Sequence, residues 1–190
     1  MFAELLERIA IVFARESIPY MVIGGQAVLA HGEPRLTKDI DITIGLDTDQ
    51  LSFILKLSSE LHLKPMTEKI DEFVHANAVL PLSDTRSGIR VDIIFSFMPY
   101  ERDAIIRSKK FTIGKTQINF ASVEDTILHK LFAGRPRDIE DVRGIIKLNR
   151  KIDTDYLNRW LQEFMNVTER NLIQEFNDLL NTYGNNKQIQ

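Results

Sequence analysis

The chain has 190 residues, enough for one sizeable domain or for one domain with a small extension. Apolar residues make up 44% and charged residues 27% of the sequence, which excludes a disordered polypeptide and is typical of an ordinary globular protein. The net charge of -3 argues against a strong nonspecific nucleic-acid binder with a broad basic face, and the lack of cysteine excludes disulfides and thiolate metal ligands.

The first predicted element is an amphipathic helix over residues 2 to 15, in which apolar residues recur at helical spacing. Glu4 and Glu7 lie where a signal peptide needs its apolar core, so we expect no leader. The longest uncharged run, residues 17 to 32, is interrupted by proline and glycine and is too short to span a bilayer. We therefore expect a soluble, cytoplasmic protein with no membrane partner.

A short apolar run over residues 20 to 23 predicts a buried strand that ends at Gly24 and Gly25. A short helix over residues 26 to 30 is predicted to follow and to stop at Gly32. Backbone N–H groups at a helix start favour an anion, and glycine lets a phosphate approach the backbone closely. A Gly-Gly pair alone is more often an ordinary turn, so the phosphate-loop interpretation depends on the residues that follow.

Residues 39 to 44 alternate between acidic or polar residues and isoleucine, which predicts a half-buried strand. Residues two apart in a strand share a face, so Asp39 and Asp41 project together. A second alternating strand, residues 89 to 95, carries Asp92 in the same arrangement. If the strands are neighbours, three carboxylates converge, and such hard oxygen ligands suit two Mg²⁺ or Mn²⁺ ions. The alternative is aspartates that merely face solvent, but aspartate is a poor strand former and occurs here twice within three residues.

The remaining predicted elements carry weaker functional signals. They are a helix from about 49 to 63, a strand from 71 to 82, a hairpin from 109 to 120 and helices from 122 to about 183. The prediction is a mixed α/β (α+β) domain over residues 1–120, followed by a C-terminal helical region over residues 121–190 that packs on the active site. We expect the tail, residues 185 to 190, to fray.

The glycine and aspartate motifs together resemble a known signature. Val22-Ile23-Gly24-Gly25, a spacer of thirteen residues and Asp39-Ile40-Asp41-Ile42 resemble the motif of the DNA polymerase beta-like nucleotidyltransferase superfamily, and Asp92 is similar to its third carboxylate. The resemblance implies a nucleotidyltransferase fold, with a mixed sheet flanked by helices. It also implies two Mg²⁺ ions bound by the three aspartates, and transfer of a nucleoside monophosphate from a nucleoside triphosphate (NTP) to a hydroxyl group.

Basic residues near these motifs are candidates to bind the triphosphate. Arg35, Thr37 and Lys38 directly precede the acidic strand, where cations commonly neutralise phosphate oxygens. The alternative, a solvated loop with ordinary ion pairs, stays open. Lys130 lies on the inward stripe of its predicted helix, so it must snorkel or meet a buried anion. A helix beside the active site would bring Lys130 to a phosphate.

The stretch that begins at Lys130 resembles a narrower group, the abortive-infection (AbiE-type) toxin nucleotidyltransferases. That group has a lysine motif followed by Arg-x-Lys-Asp and a further Asp, and Arg137, Asp138 and Asp141 stand at the corresponding positions, with Arg137 in place of lysine. The resemblance implies that Lys130 and Arg137 bind the triphosphate, that Asp138 and Asp141 shape the site, with Asp141 taking part in acceptor activation, and that an antitoxin protein is a partner in phage defence. From its position alone, Asp138 is an acidic residue in a first helical turn, for which a structural role is the default.

Two hypotheses of function follow. The first is a metal-dependent nucleotidyltransferase with catalytic Asp39, Asp41, Asp92, Lys130 and Asp141. The glycine and aspartate motifs also resemble those of small antibiotic-modifying nucleotidyltransferases, so RNA, a protein and a small hydroxylated molecule stay open as acceptors. The rival is a catalytically silent nucleotide-sensing or partner-binding module of the same fold. Three like charges in one place argue against the rival, because an inert binder does not need them.

Overall fold

The computed structural model describes residues 1–96, 98–149 and 151–184, so the predicted fraying of residues 185–190 lies outside the described residues. Two compact units are present, one made of residues 1–26 and 36–121 and the other of residues 27–35 and 122–190. The strands are β1 (Tyr20–Ile23), β2 (Asp39–Ile44), β3 (Leu63–Pro65), β4 (Val79–Asp84), β5 (Arg90–Phe95), β6 (Lys109–Ile113) and β7 (Thr116–Phe120). The helices are α1 (Phe2–Arg15), α2 (Gly24–Ala30), α3 (Leu51–Glu60), α4 (Ile70–Asn77), α5 (Pro99–Arg107), α6 (Val123–Ala133), α7 (Pro136–Leu148), α8 (Thr154–Phe164) and α9 (Leu172–Tyr183).

The seven strands form one mixed sheet in the order β3-β4-β5-β2-β1-β7-β6. Strand β2 lies near its centre, antiparallel to β1 and parallel to β5. Strands β1 and β7 are also parallel, whereas the other neighbouring pairs are antiparallel. Helix α1 packs on β7 and helix α4 on β4. The predicted α/β class, a mixed sheet with helices against it, is confirmed.

The alternation of apolar and acidic residues along β2 explains how this strand is held in the sheet. Ile40 and Ile42 are completely buried on one face, while Asp39 and Asp41 are only partly buried on the other. Each fully buried isoleucine stabilises the sheet by about 1.5–3 kcal/mol relative to an exposed one. The hydrophobic face therefore fixes the register, and the register fixes which way both aspartates point.

The prediction of one strand over residues 71 to 82 is wrong. Helix α4 occupies the first part of this segment, and β4 begins only at Val79. Ala78 adopts a left-handed conformation, with φ 54°, and its N–H donates to the carbonyl of Val74 at 2.7 Å, which ends the helix. Only Val74 of α4 is buried, so the helix lacks the apolar stripe that would reveal it in the sequence.

The predicted helix from 49 to 63 is shorter than expected. Helix α3 ends at Glu60, and His62 has a left-handed φ of 59° that turns the chain into β3. Strand β3 then pairs antiparallel with β4, with Leu63 opposite Asp84. A second unpredicted element is α5, where the Met98 N–H donates to the Glu101 carboxylate at 2.8 Å at the start of the helix.

From residue 122 onward, the described residues form helices α6 to α9 and their connections, so the predicted C-terminal helices are confirmed. Ser122 caps α6, since its Oγ accepts from the Asp125 N–H at 3.0 Å and donates to the Asp125 carboxylate at 2.5 Å. Pro136 stands in the first turn of α7, where it loses no hydrogen bond. Among the described residues, no helix combines the length and apolar character needed to cross a bilayer.

Candidate active site

Two of the predicted carboxylates are direct neighbours across parallel strands. The register of β2 and β5 pairs Asp41 with Asp92 and Asp39 with Arg90. Adjacent strands lie about 4.8 Å apart, so paired side chains on one face can share a ligand. All three aspartates lie on the same face of the sheet, because Asp39 and Asp41 are two residues apart and Asp41 is opposite Asp92.

Arg90 was not among the predicted site residues, yet its guanidinium group contacts the carboxylate of Asp92. Its Nε donates to Asp92 Oδ1 at 2.9 Å, and its Nη2 lies 2.9 Å from Asp92 Oδ2. This hydrogen bonding raises the pKa of Arg90 above its ordinary value, and the negative charges of Asp92, Asp39 and Asp41 raise it further. Arg90 stands two residues before Asp92 in one strand, and that spacing is the sequence signal that could have revealed it.

The residues just before β2 orient Asp39. The Thr37 hydroxyl lies 3.1 Å from Asp39 Oδ1 and 3.1 Å from the Asp39 carbonyl oxygen. Thr37 therefore holds the Asp39 carboxylate in place. Lys38 is exposed, so its ammonium group can reach a ligand that approaches from solvent.

Gly24 closely approaches the Asp41 carboxylate. Strand β1 places Ile23 opposite Asp41, so Gly24 follows directly beyond that pair. Gly24 has a left-handed φ of 64°, and a Cβ atom added there would overlap with the Asp41 carboxylate. Both the backbone conformation and the space require glycine at this position. The glycine turn and the central aspartate are thus one structural unit.

This close approach leads to a prediction for Gly24→Ala. We expect the free energy of unfolding to fall by about 1–2 kcal/mol for the left-handed alanine alone, with a further loss from its overlap with Asp41. Urea unfolding would measure this loss of stability, and a titration with NTP would measure whether the variant still binds the nucleotide. The matched control is Gly88→Ala, because Gly88 has a φ of 72° but open space where the Cβ would lie. If both variants lose the same amount of unfolding free energy, the close approach of Gly24 to Asp41 does not contribute to the effect on stability.

The donor types at Asp41 and Asp92 fit a divalent cation. Within the described residues, no three or more His, Asp or Glu side chains form a group that could hold a metal ion by themselves. Mg²⁺, however, is usually bound through one or two carboxylates together with substrate phosphates and water. Two neighbouring, partly buried carboxylates repel each other, and a cation relieves that repulsion. The predicted site for two ions therefore stays a prediction.

A buried charge cluster occupies the second unit. Lys130 Nζ lies 2.9 Å from Asp138 Oδ1 and 3.0 Å from Asp141 Oδ2, and Arg35 is ion-paired with Asp141. The side chains of Lys130, Asp138 and Asp141 are each no more than 8% exposed. Of the two predicted environments for Lys130, the structure shows the buried anion, supplied by two carboxylates of the same unit. Whether Lys130 also binds a triphosphate stays a prediction.

The residues of the basic-acidic motif at the start of α7 differ in burial. Arg137 is exposed, whereas Asp138 and Asp141 are buried. Asp138 Oδ2 also accepts from the Arg135 N–H at 3.3 Å, close to the start of the helix. The structural role proposed for an acidic residue in a first turn is therefore present at Asp138. Asp141 joins Lys130 and Arg35 and is the centre of the cluster.

Comparison with known proteins adds the family. A family model described as "Nucleotidyltransferase of unknown function (DUF6036)" matches residues 1–189. No curated protein matches the chain in sequence. Several solved structures are similar in fold, and at identities of 14–19% their likeness shows the fold alone.

Three of these structures illustrate the likeness. An antigenic nucleotidyltransferase-like protein from Paracoccidioides brasiliensis has a TM-score of 0.64 and 19% identity, over 95% of this chain and 90% of that one. The antibiotic-resistance factor ANT(2'')-Ia has a TM-score of 0.57 and 14% identity, over 95% and 93% of the two chains. The lincosamide antibiotic adenylyltransferase LnuA, bound to lincomycin, has a TM-score of 0.54 and 14% identity, over 77% and 97%. The predicted fold is confirmed.

Proposed function

Because the chain belongs to this family of nucleotidyltransferases, whose model covers residues 1–189, we propose that it is a metal-dependent enzyme that moves a nucleoside monophosphate from an NTP to a hydroxyl group. The observation that carries the proposal is the pairing of Asp41 with Asp92, directly beside the Gly24 turn. A carboxylate pair next to a close-approach glycine offers one place for both a cation and a phosphate.

Asp39, Asp41 and Asp92 would hold the divalent cations, with Mg²⁺ or Mn²⁺ as the expected metal. When bound, such ions neutralise phosphate charge and make the attacking oxygen a better nucleophile. Asp92 would orient the acceptor hydroxyl and take up its proton, while the hydroxyl oxygen forms a bond to the α-phosphorus of the NTP and the bond to the bridging oxygen breaks. Pyrophosphate leaves with that bond's electron pair. Catalysis by this chain would be mainly positioning and electrostatic stabilisation.

The triphosphate contacts are proposed in two groups. In the first unit, Gly24 and Gly25 would admit the phosphates to the backbone, and the exposed Lys38 would neutralise them. The Thr37 hydroxyl would keep Asp39 oriented.

In the second unit, Arg35, Lys130 and Arg137 are the proposed cations. Lys130 and Arg35 are held by Asp138 and Asp141, so their contact with a triphosphate requires an exchange of partners. Asp141 is proposed to assist acceptor activation, on the resemblance to the toxin group.

The acceptor is the open part of the proposal. RNA and a protein are two acceptor classes to test, and the resemblance to abortive-infection toxins adds an antitoxin protein as a proposed partner. Similarity in fold to LnuA, an adenylyltransferase of lincosamide antibiotics, makes ATP the first donor to test and a small hydroxylated molecule a third acceptor class. Fold alone does not decide among these classes.

A second candidate function is the catalytically silent module. One observation favours it: Arg90 engages both carboxylate oxygens of Asp92, which are the atoms a metal ion would need. An Arg90 that never leaves Asp92 would permit nucleotide binding without transfer.

The test is a transfer assay with each α-phosphate-labelled NTP, Mg²⁺ or Mn²⁺ and a cell extract. We expect label on RNA, protein or a small molecule with the intact chain, and none with an Asp39→Ala/Asp41→Ala double variant. The labelled fraction identifies the acceptor class. Triphosphate binding without transfer under any condition would replace the enzyme by the silent module.

A further inference from the structure

We propose that Arg90 is a positioning residue that serves as the resident counter-cation of the carboxylate site and is displaced from Asp92 when a divalent cation binds. The inference rests on the proposed function insofar as Asp41 and Asp92 are the metal ligands. It adds a residue that none of the sequence motifs contains.

The contact geometry shows the competition. Two nitrogen atoms of Arg90 engage the two oxygen atoms of Asp92, each at 2.9 Å. A carboxylate held in this bidentate way has its oxygen atoms turned toward the guanidinium group. A metal ion that binds Asp92 must therefore share or replace this partner.

Arg90 lies among three negatively charged side chains and partly balances their charge. Arg90 lies opposite Asp39 in the register, next to the pair formed by Asp41 and Asp92. Three carboxylates on one face repel one another unless positive charge is present. The guanidinium group supplies one positive charge, which relieves the repulsion only in part. A divalent cation relieves it further, so the site still attracts metal ions with Arg90 in place.

Solvent exposure makes the displacement reversible. The Arg90 side chain is 51% exposed and that of Asp92 is 15% exposed, so a released guanidinium group can be hydrated at once. An ion pair in which one partner is half exposed is easier to exchange than one in which both partners are buried. The pair of Arg8 and Asp84 in the same unit shows the contrast. Asp84 is 2% exposed and also accepts from the Ser87 hydroxyl at 2.5 Å, as expected of a permanent structural pair.

Mn²⁺ binding in the absence of nucleotide tests the inference without any need for activity. The measurement is a titration of the full chain with Mn²⁺, in which electron paramagnetic resonance reports free ions. We expect Arg90→Gln to bind Mn²⁺ about fivefold more tightly than the unchanged chain, because an exposed bidentate pair no longer competes. Arg90→Lys, which keeps the charge but not the bidentate geometry, is expected to bind with intermediate affinity.

Two further variants make the test specific. Arg102→Gln is the matched control, since Arg102 is an exposed arginine that lies 3.6 Å from Asp47, and it should leave Mn²⁺ affinity unchanged. In an Asp92→Asn background, the gain from Arg90→Gln should shrink to about twofold or less, because the shared partner is gone. A gain of equal size in that background would contradict competition for Asp92.

Other outcomes overturn the inference plainly. Unchanged or weaker Mn²⁺ binding by Arg90→Gln would make Arg90 a structural residue. Failure of the unchanged chain to bind Mn²⁺ would overturn the inference together with the proposed metal site. If Arg90→Gln does not fold, unchanged affinity in Arg90→Lys decides against the inference in the same way. Tighter Mn²⁺ binding without label transfer to any acceptor would uphold the role of Arg90 and reject the proposed enzyme.

Discussion

Asp41→Asn is expected to reduce nucleotidyl transfer about a thousandfold or more, while the protein remains folded. Asp41 is the central carboxylate, because it is paired with Ile23 on one side and Asp92 on the other and lies against Gly24. Asparagine keeps the shape of the side chain but removes the charge that would hold a cation. The turnover number of label transfer at saturating NTP measures the effect.

The stability of this variant separates catalysis from folding. Loss of one of three like charges should leave the free energy of unfolding unchanged or slightly higher. Asp47→Asn is the control, because Asp47 is a 60% exposed aspartate in the same unit. An Asp41→Asn protein that retains a tenth of the activity would show that the reaction does not depend on this carboxylate.

Lys130→Met is expected to lower the free energy of unfolding by about 3–5 kcal/mol, since it removes one partner from a buried ion-pair cluster. Asp138 would lose its buried ammonium partner, while Asp141 would keep Arg35. Methionine has a similar length, so the loss reports charge more than volume. Urea unfolding followed by circular dichroism measures the change, and NTP titration of the folded protein measures any separate role in binding.

The control for Lys130 is Lys147→Met on α7. Lys147 is exposed and lies 4.9 Å from the centre of the Tyr183 ring, a contact worth about 0.5–1 kcal/mol. A small stability loss in Lys130→Met together with a large loss of NTP affinity would contradict the structural role. The lysine would then be a triphosphate ligand first.

Much of the site could be predicted because strand periodicity is strict. Alternation alone placed Asp39 and Asp41 on one face of β2 and Ile40 on the other. Alternation within one strand does not show which residues of two strands lie opposite each other, however, so the opposition of Asp41 and Asp92 became visible only in the sheet. Arg90 belongs to no motif, and its contact with Asp92 depends on the face that the two residues share in β5, so it was not predicted.

The misassigned elements have a common physical cause. Helix α4 buries only Val74, and β3 has three residues, so neither carries enough apolar periodicity to be recognised. Lys130 shows the opposite case. Its place on an apolar stripe predicted that it would snorkel or meet a buried anion. The choice between the two, and the identity of the anion, depended on how α6 packs against α7.

The parallel pairing of β2 and β5 has a consequence for how the protein folds. The connection between these strands runs from residue 45 to residue 89 and contains two helices, α3 and α4, and two strands, β3 and β4. Pairing of this kind closes a long loop, and folding slows as contacts become less local. Strands β1 and β2 can pair early, whereas Asp92 joins Asp41 only after the whole connection has been made. The ability to bind a metal ion should therefore appear late in refolding. The time at which it appears would show when β5 pairs with β2.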